Sequence, residues 1–420
     1  MQFKININEG IRYSKLSGDT NKIHLNNLSG YNSIFGERIC HGCLVIKKFF
    51  KTINIFKKLN NKYFSIEIIF KKYFKYNENI KIKKKKNKYF LYQTDNLSAS
   101  IEIRNKLKLS NIKFNKKKYS QKLKKNINKY KLIQLTLNEI SKYVGTIYPG
   151  KYSILNKIII NSDKRLNPDL KKIEIYSKKI SPKFPFIINK LLSKELVINF
   201  DTLERPKINL KKTKPKSVLL KKINNINEKI LILGASQGIG KDILHLTNYN
   251  KKILKIATYN KNLINLSNTK IIKKKIDIKK NLNNLNKIIS KHSSINIYYF
   301  ATPKIFFDKK LEKSIVKEYK EFFINIPIKI IKQNKNKNIK FFYPSTTNIN
   351  LNNKSIYSKI KLEAEKKIKN ICLKYKIPFL IYRFPAINSR QSITLSNTNP
   401  PNLITFLNHK ENDFNKIFFK

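Results

Sequence analysis

Glycine is the residue that most constrains this chain. Only ten occur in 420 residues, and they fall in three groups: Gly10, Gly18, Gly30, Gly36 and Gly42; Gly145 and Gly150; and Gly234, Gly238 and Gly240. A chain this short of glycine keeps it where the backbone needs positive φ or must approach another group closely. The segments 10–42, 145–150 and 234–240 are therefore the places to look for chemistry. At about 150 residues per domain, the length allows two to three domains.

Hydrophobic patterning divides the chain. Residues 1–115 carry strand-like runs, among them Tyr63 to Phe70, Tyr89 to Gln93 and Ser98 to Ile103, and predict a helix wrapped by an antiparallel sheet. Residues 115–130 are Lys-rich and read as a solvated connector. Residues 131–205 repeat the order on a smaller scale. A helical start around Leu135 to Tyr143 precedes a turn at Gly145 to Gly150, then strands around Ser153 to Ile160 and Lys171 to Tyr176. This predicts a second copy of the first fold. Residues 206–228, with Pro206, Pro215 and many Lys, read as a linker. From Lys229 the pattern changes. Ile230-Leu231-Ile232-Leu233 is a buried-type strand, followed by a glycine loop and a helix. Strand-like and helical stretches then alternate to the end of the chain, predicting a parallel sheet with helices on both faces over 229–420.

Charge excludes less than it suggests. Lys and Arg number 90 against 25 Asp and Glu, a formal charge of +65. Such an excess suits anionic partners. A basic nucleic-acid-binding protein is accordingly the alternative reading, and it predicts steeply salt-dependent DNA or RNA binding. The excess, however, is mostly Lys, spread from end to end with abundant Asn and Ile. A binding face is patchy and favours Arg, whose planar fork grips phosphate. The bias reads as coding drift in an AT-rich genome, so no specific nucleic acid is expected. Hydrophobic residues make up 41% of the chain, with 22 Tyr and 26 Phe, ample for buried cores. Three cysteines, Cys40, Cys43 and Cys372, make no disulfide framework and fit a reducing, cytoplasmic location. Cys40-His41-Gly42-Cys43 has the spacing of half a metal site, but no second pair completes it, so packing rather than a metal is expected. No apolar run of about 18 residues predicts a membrane span, and no signal-type stretch follows Met1.

The first glycine group holds a chemical constellation. Residues 13–24 read Tyr-Ser-Lys-Leu-Ser-Gly-Asp-Thr-Asn-Lys-Ile-His. Asp19 and His24 lie five apart, and a turn holding a carboxylate and an imidazole this close can hold a water between them. Such a pair suits adding water to a polarised double bond or removing it, one group handling the water proton and the other the carbon-bound proton. Downstream, Phe35-Gly36-Glu37-Arg38-Ile39-Cys40-His41-Gly42 offers backbone N–H groups near a helix start for an enolate-like thioester oxygen. The whole string resembles the MaoC-like, (R)-specific enoyl-thioester hydratase family of hot-dog folds. Tyr13, Leu16, Ser17, Gly18, Asp19, Asn21, Ile23, His24, Phe35, Gly36, His41 and Gly42 match its signature, while Lys22 stands where the family usually has Pro. The resemblance implies catalytic Asp19 and His24, with Asn21, Gly36 and Gly42 around the thioester. Residues 131–205, with Tyr143-Val144-Gly145 and Tyr148-Pro149-Gly150, look like a degenerate second hot-dog repeat without the Asp/His pair.

The third glycine group follows a strand and opens a helix. A turn without bulky side chains there lets a pyrophosphate rest on backbone N–H groups. Gly234-Ala-Ser236-Gln237-Gly238-Ile239-Gly240 resembles the cofactor loop of the short-chain dehydrogenase/reductase family. Tyr357-Ser-Lys-Ile-Lys361 fits that family's Tyr-x-x-x-Lys pair, and Ser345 stands twelve residues earlier. With 22 Tyr in a Lys-rich chain the pair's spacing alone means little. Its position counts for more, since Ser345 follows a strand-like run and Tyr357 opens an amphipathic helix. A neighbouring ammonium is expected to lower the phenol pKa. By resemblance Ser345 holds the substrate oxygen, Lys361 also binds the nicotinamide ribose, Asn325 joins a proton relay and Asp277 lies near the adenine. Tyr299-Phe300-Ala301-Thr302 and Pro385-Ala386 depart from the family pattern. After the second strand, Asn260-Lys261 replaces the acidic residue that would grip a ribose 2′-hydroxyl, favouring NADP(H) over NAD(H).

Together the resemblances imply an α+β hot-dog part, double in architecture, followed by an α/β Rossmann-type doubly wound domain. They imply a bifunctional acyl-thioester enzyme: hydration and dehydration between 2-enoyl and (3R)-3-hydroxyacyl thioesters, and NAD(P)H-dependent 3-oxoacyl reduction. The substrate carrier would be CoA or acyl carrier protein, and a homodimer is compatible. A drift-degraded enzyme keeping one activity is a further alternative.

Overall fold

A computed structural model gives the fold, and it describes residues 1–55, 63–109, 112, 114, 117–123, 127–167, 169–181, 184–205, 213–266, 270–306, 313–350, 355–389 and 400–419. These form two compact units, one within Met1–Lys207 and the other beginning after it.

The first unit is built on one antiparallel sheet, ten-stranded among the described residues. Its strands are β1 (Gln2–Lys4), β2 (Tyr63–Phe70), β3 (Asn79–Lys85), β4 (Lys88–Gln93), β5 (Asn96–Arg104), β6 (Lys117–Lys122), β7 (Ser153–Asp163), β8 (Lys172–Lys179), β9 (Phe186–Ser193) and β10 (Leu196–Glu204). The spatial order β1-β3-β4-β5-β2-β7-β10-β9-β8-β6 is one arrangement used twice. Each copy has a first strand, a helical insertion and four more strands, laid out 1-3-4-5-2 in the first and 6-8-9-10-7 in the second. The copies meet at β2 and β7, where Ile66 faces Ile160 and Ile68 faces Ile158. All four are buried, and each such side chain contributes about 1.5–3 kcal/mol of burial energy. The alternation of β2 puts Glu67 on the opposite face, where Lys108 and Lys157 hold its carboxylate at 2.8 and 2.7 Å. The helix Gly42–Thr52 and the helix Lys129–Lys142 bury Ile46 and Phe49, and Ile133 and Leu137, in the same core as these isoleucines.

Two segments depart from the sequence expectation. Lys117–Lys122, read as part of a solvated connector, is β6, paired with β8. Lys118 and Lys122 are exposed and mask the pattern, because an edge strand tolerates charge. Within the expected linker 206–228, residues 206–212 lie outside the described set, whereas Ser217–Asn224 is a helix that buries Leu219 and Ile223.

The second unit has a parallel sheet, six-stranded among the described residues. Its strands are β11 (Ile230–Leu233), β12 (Lys255–Tyr259), β13 (Ile271–Lys275), β14 (Ser294–Tyr299), β15 (Asn338–Thr346) and β16 (Phe379–Phe384). The order β13-β12-β11-β14-β15-β16 is that of a Rossmann-type doubly wound sheet. Strand β11 shows why both faces are covered. Leu231 and Leu233 enter one core with Ile360, Ala364 and Ile368 of the helix Ile356–Lys374. Ile230 and Ile232 enter another with Ile243 and Leu244 of the helix Gly238–Thr247. No helix among the described residues is long and apolar enough to cross a membrane.

Candidate functional site

The first site begins with helix punctuation. Asn6 and Glu9 form a capping box at the start of the helix Ile7–Ser17, and Gly18 ends it at φ +78°. That turn swings Asp19 inward. Its backbone is fixed by Ser14, whose hydroxyl donates to the Asp19 carbonyl at 2.6 Å, and by Ser17, whose Oγ accepts the Asp19 N–H at 3.2 Å. Asn21 then caps the short helix Lys22–Leu25, which carries His24. Lys22, at the expected Pro position, is exposed, and the turn is kept by these hydrogen bonds.

Asp19 is buried, and each of its carboxylate oxygens is engaged. Oδ1 accepts the Asn21 N–H at 3.2 Å, and Oδ2 accepts the Ser141 hydroxyl at 2.7 Å. His24 Nδ1 lies 2.9 Å from the Ile39 carbonyl. A carbonyl only accepts, so Nδ1 carries the proton and Nε2 is left as an acceptor. Burial lowers the His24 pKa from its ordinary value, and the Asp19 carboxylate opposes that without reversing it. His41 stacks on His24 with ring centroids 4.0 Å apart. Burial, reinforced by the neighbouring His24, pushes His41 well below the ordinary imidazole range. Donor atoms of Asp19, His24 and His41 all lie within 4.8 Å of one another.

The fold thus joins the pair expected from the sequence and adds groups that sequence reasoning missed. In the sequence His41 stands only in a half metal motif and as a signature match. Ser141 lies 122 residues from Asp19 and belongs to the other repeat. Gly145, in the π-helical turn Tyr143–Ile147, stands so close that a Cβ there would lie 2.1 Å from Asp19 Oδ1. Its place in the second glycine group was the available signal. Gly36 sits at φ +75°. Gly42 opens the helix Gly42–Thr52, and a Cβ there would lie 3.2 Å from the Phe70 ring. Cys40 and Cys43 are free and buried.

In the second unit the loop after β11 has the close backbone approaches its glycines suggested. Gly234 adopts φ +84°, and a Cβ there would lie 2.7 Å from the Phe300 carbonyl oxygen. At Gly240 a Cβ would meet the Gly234 carbonyl oxygen at 2.4 Å. Gly238, at φ +59°, opens the helix Gly238–Thr247, and beside an added Cβ stands only Ser389, at 3.6 Å, among the described residues. Thr258 ties the loop to β12, its Oγ1 accepting the Gly234 N–H at 3.2 Å and its carbonyl the Ala235 N–H at 2.8 Å. Ser236, Gln237 and Ile239 are all partly exposed around this turn. Ile232, Tyr298 and Phe342 form one row across β11, β14 and β15. Gly234 and Ser345 therefore emerge at the same, C-terminal edge of the sheet.

Ser345 is buried, and its Oγ has no hydrogen-bond partner among the described residues. Tyr357 packs edge-on to Phe323 at 5.6 Å, and the Lys361 ammonium lies 4.7 Å above that same ring. The expected lowering of the phenol pKa is not found. Burial raises Tyr357, while Lys361 Nζ donates to the Tyr343 hydroxyl at 3.0 Å and to the Pro344 carbonyl. Burial brings Lys361 down to about 7. Asn325 is exposed, and its amide donates to Glu321 at 2.8 Å, so its side chain is engaged on its own helical turn. The Asp277 carboxylate accepts the Lys279 N–H at 3.1 Å and closes a turn. Strand β12 is followed by Asn260 and Lys261, with no carboxylate.

No protein-family model matches the chain, and no curated protein sequence matches it. Solved structures give partial likenesses. A UDP-glucuronic acid 4-epimerase from Bacillus cereus in complex with NAD is 18% identical over 38% of this chain and 56% of that one, with a TM-score of 0.32. A short chain dehydrogenase family protein from Francisella tularensis is 16% identical over 46% and 93%, with a TM-score of 0.38. A short chain dehydrogenase from Burkholderia cenocepacia in complex with NADP is 13% identical over 42% and 78%, with a TM-score of 0.34. The chain spans little more than half the length of the epimerase. The Rossmann-type character of the second unit therefore rests on its own strand order and glycine loop.

Proposed function

We propose that this chain is a bifunctional acyl-thioester enzyme. The first unit is a double hot-dog of MaoC-like type that interconverts 2-enoyl and (3R)-3-hydroxyacyl thioesters. The second is a short-chain dehydrogenase/reductase that interconverts 3-oxoacyl and 3-hydroxyacyl thioesters. The observation that carries the reading is the convergence of the Asp19 carboxylate and the His24 imidazole in a turn built by Gly18. The twice-used strand order around a helix supports the hot-dog assignment.

In hydration the neutral His24 Nε2 takes one proton from water as its oxygen bonds to C3 of the enoyl thioester. The imidazolium then returns that proton to C2, so one water is added in all. Asp19, fixed by Ser141 and Asn21, accepts the water's second O–H. The N–H groups at Gly42, at a helix start, would bind the thioester oxygen, which gains charge between the two proton transfers.

For the second unit, the glycine cradle and the unbonded Ser345 hydroxyl fit a nicotinamide dinucleotide with a carbonyl substrate beside it. Gly234, Ser236, Gln237, Gly238, Ile239 and Gly240 would hold the pyrophosphate, Asp277 would lie toward the adenine and Lys361 would meet the ribose. Asn260 and Lys261 favour NADP(H). The cofactor supplies hydride. Ser345 donates to the substrate carbonyl, and Tyr357 gives its phenolic proton to that oxygen. The products of the two sites share the 3-hydroxyacyl species, and linkage in one chain raises its local concentration. Acyl-CoA or acyl carrier protein is the substrate carrier, with a cytoplasmic location and a homodimer as the expected setting.

The test is incubation of the protein with NADPH and a short 3-oxoacyl thioester, with mass analysis of products. Hydroxyacyl and enoyl products are expected together. Asp19→Asn should stop the sequence at hydroxyacyl, and Tyr357→Phe should yield neither. If the first variant still dehydrates, or the second still reduces, the corresponding assignment fails.

A further inference from the structure

We infer that His41 is a third catalytic residue of the first site, and that it donates a hydrogen bond to the reacting water oxygen. This rests on the hydratase reading above. His41 is 1% exposed, yet its Nε2 has no hydrogen-bond partner among the described residues. A buried polar atom left unbonded is costly and calls for an explanation. It faces the cluster, 4.0 Å from Asp19 Oδ2.

Three atoms bonded to one water at about 2.8 Å and near-tetrahedral angles lie about 4.6 Å apart. Ligands of one metal ion at about 2.1 Å lie about 3.4 Å apart. The 4.0 Å between His41 Nε2 and Asp19 Oδ2 lies midway between these two values, and the zinc arm of the test below separates the two occupants.

The hydrogens also balance. The Tyr76 hydroxyl lies 3.4 Å from His41 Nδ1. With Tyr76 donating there, His41 carries its proton on Nε2. His24 Nε2 is an acceptor, because its Nδ1–H is committed to Ile39. The water then donates to His24 and to Asp19 and accepts from His41, which leaves one lone pair for C3. In hydration the C3–O bond forms as His24 takes a proton from the water, His24 then delivers that proton to C2, and His41 keeps its own proton throughout. In the reverse direction the same N–H steadies the departing hydroxyl.

The test compares full-length His41→Phe, which keeps the stacked ring, with His41→Gln, whose amide N–H2 reaches the Nε2 position. Removing one donor at a reacting oxygen costs about 10²-fold in kcat. His41→Phe should lose that much hydration with KM within about threefold, and His41→Gln should recover at least tenfold. Should His41→Phe fail to fold by circular dichroism, His41→Leu takes its place. Equal rates in the polar and apolar variants would overturn the inference, as would a loss confined to KM. Stoichiometric Zn²⁺ binding by the wild-type protein, abolished in His41→Gln, would overturn it in favour of a metal site. If wild type and Asp19→Asn are equally inert in hydration, the hydratase reading falls and the inference with it.

Discussion

Replacing Gly145 by Ala adds one methyl group against the Asp19 carboxylate. The new Cβ would lie 2.1 Å from Oδ1, 2.5 Å from Cγ and 2.7 Å from Oδ2. Ordinary contact begins near 3.4 Å, so the carboxylate must retreat by about 1.3 Å. Gly145 is not at positive φ, so the backbone accepts alanine and the clash is the whole perturbation. Moving the carboxylate stretches the 2.7 Å bond from Ser141, a charged hydrogen bond of the kind that contributes about 1.5–3 kcal/mol. A misplacement of about 1 Å costs on the order of 10²-fold in rate, or about 2.7 kcal/mol of barrier. The assay is hydration of a short enoyl thioester, followed by loss of its ultraviolet absorbance. Gly150→Ala is the control: it lies at φ +79°, and an added Cβ there would have nothing within 4 Å among the described residues. It should cost about 1 kcal/mol of stability and leave turnover unchanged. If Gly145→Ala keeps kcat within threefold of wild type, the second repeat does not position Asp19 and the reasoning is refuted.

Further outcomes follow from the same geometry. His24 and His41 have lowered pKa values, so the unfolded chain binds more protons than the folded one below about pH 6.5. Stability should fall as pH drops through that value, and thermal melts of His41→Phe should show a shallower acid decline. Gly240→Ala places a Cβ 2.4 Å from the Gly234 carbonyl oxygen, so it should abolish NADPH protection in thermal melts while hydration persists; unchanged protection would exclude the loop as the cofactor cradle. Lys361 titrates near 7 in the folded protein against about 10.4 when unfolded, so between these values the unfolded chain holds the extra proton and stability should rise with pH. Lys361→Met should flatten that rise in urea titrations at several pH values. Ser345→Ala should lower 3-oxoacyl reduction by about 10²-fold in a coupled NADPH assay, with hydration untouched.

Much of the fold was legible in local pattern. Ile230 to Leu233 followed by glycines predicts a buried strand and a tight turn, and Gly18 and Gly234 do adopt positive φ. The order of elements predicts a repeat over 131–205, and the sheet uses one strand order twice, but β6 was not legible, because Lys117–Lys122 has the composition of a loop and gains its strand character only by pairing with β8. At the first site Asp19 and His24 are close in sequence and could be linked by spacing. Ser141 could not, since only the sheet's duplication brings it across. At the second site spacing named Tyr357 and Lys361 but mispredicted the phenol's titration. Burial and the diversion of Lys361 to Tyr343 are properties of packing, invisible in a string of residues.

The seam between β2 and β7 has an evolutionary consequence. In a pair of identical subunits every substitution is made twice, so a residue that seats a carboxylate in one half must be tolerated in the other. Here both halves belong to one polypeptide and share a continuous sheet. Each is free to differ: one carries the acid and imidazole, and the other lies against the acid through a single hydroxyl and a missing methyl.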